Sequence, residues 1–122
     1  MLEIRSEQME FLQQTVLDDF VARMVAHLHR VFPDRCRELG SERTGQLVRL
    51  NHQQAAVYGI CSERDVCAFV DVLFSLHKED ASGEDMQWAR AILEDPRLGA
   101  AQKKLYLSTE AKQRIPKAPV VS

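Results

Sequence analysis

The sequence predicts an all-α protein: a single compact bundle of about five to six helices around one central buried helix, residues 63–77, with a long N-terminal helix over 6–31. Three observations point to this. Between 63 and 77, Val66, Cys67, Phe69, Val70, Val72, Leu73, Phe74 and Leu76 make a helix apolar over most of its circumference. Only Arg64, Ala68, Asp71, Ser75 and Lys78 form a thin polar strip, and a helix of that kind is surrounded by others. Residues 6–31 hold neither Pro nor Gly, and no segment sustains the apolar/polar alternation of a strand.

In chain order, Ser6 is the candidate cap of the first helix. Met9, Leu12, Val16, Leu17, Phe20, Val21, Met24, Leu28 and Val31 share its broad inner face. His27 projects within that face and His29 away from it. Phe11 falls on the far side, where a lone aromatic is either an ordinary exposed residue or a contact anchor. Phe32-Pro33-Asp34 breaks the helix, and Pro33 opens a short second one ended by Gly40. Ser41 or Thr44 starts the third, which runs to Tyr58 with Leu47, Val48, Leu50, Val57 and Tyr58 inward. Asn51 and Gln54 share its inner arc, so their amides either satisfy loop backbone or mark a groove for another chain. Gly59 suits a left-handed closing residue, and Ser62 suits the cap of the central helix, with Asp65 completing a weaker capping box.

Beyond the central helix, Lys78–Asp85 reads as a polar, acidic loop. A fifth helix spans about Met86–Asp95, with Trp88, Ala89, Ile92 and Leu93 inward, and Pro96 ends it. A sixth spans about Leu98–Ala111, packing through Leu98, Ala101, Leu105 and Tyr106 or Leu107. Residues 1–114 make the single domain. The two prolines of 115–122 predict an extended or disordered tail.

At 122 residues, 45% apolar and 28% charged, the chain is long enough for a core without disulfides or metals. No apolar run approaches the ~20 residues of a membrane helix, and Met1–Glu10 lacks a signal-peptide apolar stretch, so the expected location is cytoplasmic. Cys36, Cys61 and Cys67 have no CxxC spacing and read as free thiols packed as small hydrophobes. A net charge of −2 offers nucleic acid nothing. Its distribution is uneven: −1 over 1–62, −6 over 63–95 and +5 over 96–122. Either these stretches neutralise each other across the fold, or one meets a charged partner protein.

Chemistry is hard to find. No Gly-rich phosphate loop, GxSxG or HExxH is present. His27 and His29 project to different sides, and His52 and His77 lack ligand-spaced neighbours on their own helices, so no metal is expected. Glu63-Arg64-Asp65 reads as no acid/base cluster: the acidic Glu63 and Asp65 complement the dipole in a first turn, Asp65 also capping, and Asp71 reads as a solvated residue. The helix–turn–helix look of 46–76 fails for DNA, because the second helix is too apolar to read a groove. Neither an enzyme nor a cofactor is expected.

Four stretches together carry a resemblance: Met1–Met9; Arg23–Leu28 with Phe32-Pro33; Tyr58–Cys67; and Trp88–Leu93. In that order, across residues 1–95, the chain resembles small all-helical accessory proteins encoded in bacterial type VI secretion effector clusters, near spike-tip proteins and effector adaptors. That group carries a Phe-Gly, Asp-rich segment where this chain has Leu76–Ala81. The resemblance implies a non-enzymatic co-adaptor or chaperone that binds an effector adaptor, effector or spike-tip protein and helps load the effector. The main alternative is an immunity protein that binds and neutralises a toxin. Remoter alternatives are a small enzyme or a DNA-binding regulator. The residues that core packing leaves over, and so the expected interface, are Phe11, Asn51, Gln54, Asp71, Glu79, Asp80, Glu84 and Asp85.

Overall fold

The computed structural model describes residues 6–115, with side chains from Gln14 onward. The expected tail therefore lies outside the described residues, apart from the extended and exposed Ile115. Among the described residues there are six α-helices and no strand: α1 (Ser6–Val31), α2 (Pro33–Leu39), α3 (Ser41–Val57), α4 (Glu63–Ser75), α5 (Gln87–Leu93) and α6 (Ala100–Arg114). A 3₁₀ turn, Glu84–Met86, leads into α5. No helix among them is long and apolar enough to cross a membrane.

The all-α expectation holds, and α4 is the central element. Val66, Phe69, Val70, Val72, Leu73 and Phe74 are all buried, each at a gain of about 1.5–3 kcal/mol over exposure. Helix α4 packs on α6, α3 and α1, in decreasing order of contact. Helices α2 and α5 form an outer layer, α2 against α1 and α3, and α5 against α6. Phe32, between α1 and α2, reaches the Phe74 ring with centroids 6.0 Å apart. Arg114 lies over the Trp88 indole, 4.7 Å from its centroid, and so joins the end of α6 to α5.

The turn between α3 and α4 follows from its residues. Tyr58 caps α3, and Gly59 takes φ 79°. The Gly59 N–H then donates to Ala56 O (3.0 Å) and the Ile60 N–H to Ala55 O (2.9 Å), the paired closure of a Schellman motif. Ser62 accepts from the Asp65 N–H at 3.2 Å, which opens α4 as its spacing predicts. The other end of α4 repeats the Schellman closure without a glycine. His77 stands at φ 59°, with His77 N–H to Phe74 O at 3.1 Å and Lys78 N–H to Leu73 O at 2.9 Å. Helix α4 thus ends two residues before the expected His77, because Leu76 and His77 are spent on the cap.

The start of α6 also shifts, for a local reason. The Asp95 carboxylate folds onto the Arg97 N–H (2.9 Å) and its guanidinium. This turn carries the chain past Pro96 and delays α6 to Ala100. Gln102 accepts from the Gly99 N–H at 3.1 Å and completes the start of α6. Several apolar residues predicted to point inward are exposed instead: Val16, Val31, Leu50, Val57, Leu105 and Ala101; of the alternatives Tyr106 and Leu107, Leu107 is the buried one. Periodicity placed the exposed ones on the apolar side of their helices, but no neighbouring helix covers them. In α6 the buried positions are Leu107 and Ala111.

The uneven charge is partly compensated within the fold. Asp65 meets Lys104 at 3.3 Å and Asp95 meets Arg97, whereas the acidic loop finds its cations at Arg43 and Lys78. Lys103 donates instead to the Tyr58 carbonyl at 2.9 Å, tying the start of α6 to the α3–α4 turn.

The left-handed residues that close α3 and α4 make opposite predictions. His77→Gly should stabilise the protein, and Gly59→Ala should destabilise it, each by about 1 kcal/mol in urea denaturation. At Gly59 a Cβ would meet nothing within 4 Å, so that loss is conformational rather than steric. Equal and same-signed effects would contradict the capping account. The Asp65 carboxyl, held below its ordinary range by the Ser62 hydroxyl and then by Lys104, adds a pH dependence. Its lowered folded-state pKa stabilises the fold above the unfolded value, and that contribution disappears as pH falls through the folded one. Asp65→Asn should therefore cost stability near neutral pH. Its denaturation midpoint should converge with wild type towards pH ~3.

Candidate docking groove

Helix α3 runs antiparallel to α1. Ser41 Oγ lies 3.4 Å from His29 Nε2, Arg49 bonds Asp18 at 2.6 Å, and the His52 ring lies on Phe20 with centroids 5.9 Å apart. At Gly59 the chain turns away into α4, and among the described residues no helix covers α1 at Val16. The result is a groove of about 860 Å³. Val16, Leu17 and Phe20 of α1 form one wall, His52, Gln53 and Ala56 of α3 the other, and Cys61, Glu63 and Val66 close its end. Val16 is 61% exposed there.

The charges around the groove are already paired. Arg23 holds the Glu63 carboxylate through two N–H groups at 2.9 and 3.0 Å, and it also bonds Asp19 at 2.9 Å. Arg23 keeps the Glu63 carboxyl below its usual range, and the two carboxylates push the guanidinium upward. Asp18 is taken by Arg49. Cys61 is exposed in this groove, not packed as a small hydrophobe as expected; Cys36 is buried and Cys67 half-buried. His52 lines the same groove, and no hydrogen bond joins it to Cys61.

The sequence-predicted interface residues sit elsewhere. Asn51 is fully buried and donates to the Glu79 carbonyl at 2.7 Å. Gln54 accepts from the Ala81 N–H at 3.0 Å. Of the two roles open to these amides, the loop backbone is the one they fill. Arg90 reaches the same loop from α5, donating to Ala81 O (2.8 Å) and Gly83 O (2.7 Å). Glu79 pairs with Arg43 at 3.0 Å, Asp85 with Lys78, and Asp80 accepts from the Ser82 N–H and hydroxyl. Glu84 is exposed on the 3₁₀ turn. The acidic loop is thus a fixed object, held at its backbone from α3 and α5. One atom remains costly there: Asn51 Oδ1 is buried without a hydrogen-bond partner among the described residues. Phe11 lies in α1, and its side chain is outside the described residues.

Asp71 corrects its sequence reading as a solvated residue. Its side chain is only 33% exposed, and its two oxygens lie 3.0 and 3.1 Å from His27 Nε2 across the α1–α4 seam. Cys67, one turn earlier on α4, places Sγ 3.9 Å from Asp71 Oδ2. Burial pushes the Asp71 carboxyl up, against the opposing pull of His27. Burial and then Asp71 push the Cys67 thiol up. Ligand spacing among the histidines, or between Cys61 and Cys67, does not reveal this trio. The i, i+4 spacing of Cys67 and Asp71 was the available signal.

Gln54→Leu should speed hydrogen exchange at the Ala81 amide by at least about tenfold, since that donor loses its acceptor. Amides within α4 should keep their protection. Unchanged exchange at Ala81 would show that the loop is held by other contacts. No protein-family model, curated protein or solved structure matches this chain.

Proposed function

We propose that this chain is a non-enzymatic protein-binding accessory factor, and that its groove receives the apolar face of an amphipathic helix from a partner protein. The observation that carries this reading is the apolar groove between α1 and α3, where exposed Val16 and half-buried Leu17, over a floor of buried Phe20, share the lining with exposed Ala56. Helix-in-groove recognition uses such a surface, with anchors one and two turns apart filling apolar pockets. The nearby charges satisfy one another, so the occupant is chosen by apolar complementarity rather than by charge.

Joined to the resemblance of residues 1–95, this makes the chain a cytoplasmic co-adaptor or chaperone. Its partner is an effector adaptor, effector or spike-tip protein, and it helps load a type VI secretion effector onto its spike.

Ala56→Arg and Val16→Asp test the reading, since both positions are exposed and tolerate polar side chains. Each should weaken binding to the partner encoded beside it by at least about tenfold, without changing the thermal midpoint. Effector delivery should fall in parallel. Glu84→Lys, on the acidic loop, should leave binding within about twofold. If instead the loop variant abolishes binding and the groove variants do not, the groove is not the docking site. If the chain alone protects a cell that expresses a toxin, the immunity role replaces the co-adaptor role.

A further inference from the structure

We infer that His27, Cys67 and Asp71 form a binding site for a zinc ion on the seam between α1 and α4. The three donor atoms, His27 Nε2, Cys67 Sγ and an Asp71 carboxylate oxygen, all lie within 4.8 Å of one another. A tetrahedral zinc centre, with bonds of about 2.0–2.3 Å, sets its ligand atoms about 3.3–3.6 Å apart. The observed separations, 3.0–3.1 Å for His27–Asp71 and 3.9 Å for Cys67–Asp71, bracket that range. The third pair, His27–Cys67, lies within the same 4.8 Å limit. The local framework is suitable, because Cys67 and Asp71 project from successive turns of α4 and His27 comes from the facing helix.

The donor set selects the ion. One sulfur, one imidazole nitrogen and one carboxylate suit a borderline divalent metal, and calcium or magnesium would demand more oxygens. A thiolate and a carboxylate neutralise Zn²⁺ in full, so a half-buried site bears no net charge. The His27 and Asp71 side chains are 27% and 33% exposed, which leaves a path for the ion and room for water as the fourth ligand. Binding releases the Cys67 thiol proton to solvent. The His27 proton facing Asp71 leaves Nε2, either for solvent or for Nδ1. Without metal, the same groups form the direct His27–Asp71 hydrogen bond. The ion replaces that bond with a three-point bridge between α1 and α4, and the folded state is favoured by linkage.

Cobalt(II) is the probe. Reduced, chelator-treated protein titrated with Co²⁺ should take up a single equivalent. It should show a thiolate-to-cobalt charge-transfer band and intense tetrahedral d–d absorption, both displaced by Zn²⁺. Cys67→Ser should abolish the charge-transfer band. His27→Gln and Asp71→Asn should each weaken Zn²⁺ binding by at least about tenfold. The double variant Cys36→Ser/Cys61→Ser should retain the band, which separates this site from the other two thiols. Absence of the band in wild-type protein, or its survival in Cys67→Ser, would overturn the assignment. Neither result depends on the docking groove.

Discussion

The fold depends on enclosing α4. A 13-residue helix with apolar side chains on three sides cannot face water, and its burial supplies the reason for the positions of α1, α3 and α6. Everything polar about α4 is pushed to its ends or to one narrow strip. At its start, Ser62 and Lys104 satisfy Asp65. At its end, the backbone closes on itself through His77, accepting a left-handed non-glycine residue in order to do so. The strip facing α1 carries Asp71, which finds His27.

That enclosure determines what the loop after α4 becomes. The chain leaves α4 and runs along the flank of α3, against Arg43, Asn51 and Gln54, on its way to α5. Its carbonyls and amides lose water on that path, and Asn51, Gln54 and Arg90 replace the lost hydrogen bonds. A stretch that is polar by composition is therefore rigid by construction. Two of its four carboxylates are also matched by charge, since Glu79 and Asp85 each have a cation beside them. The unsatisfied Asn51 oxygen shows that the fit was reached at some cost.

What could be read in advance was local. The central helix, the Gly59 closure and the Ser62 cap all follow from residues within a few positions of one another, and each appears where its spacing placed it. What could not be read was pairing over distance. Asp71 looks solvated until His27 arrives from 44 residues away, and the choice between the two readings of Asn51 stays open until the backbone of Glu79 is seen to lie on it. Val16, Val57 and Leu105 show the matching error for apolar residues. Periodicity tells which side of a helix is apolar, but whether another helix reaches that side is decided by lengths and turns elsewhere. The uncovered stretch of α1 is such a case, created by the turn at Gly59 rather than by any feature of α1.

The α1–α4 seam is where these themes meet. Among the described residues, the contact of α1 with α4 is less extensive than that of α3 or α6. Two polar links supplement it, one turn apart on α1: Arg23 to Glu63 and His27 to Asp71. The first is exposed and worth little in free energy. The second is half-buried, where losing one partner leaves the other poorly solvated and costs more. The position of α1 against the core therefore leans on His27 and Asp71 more than on any exposed pair. Helix α1 also carries Val16, Leu17 and Phe20, one wall of the groove. Any ligand that tightens the seam at His27 acts on the same rigid helix whose other residues line the groove, so the two sites share one mechanical element even though they share no residue.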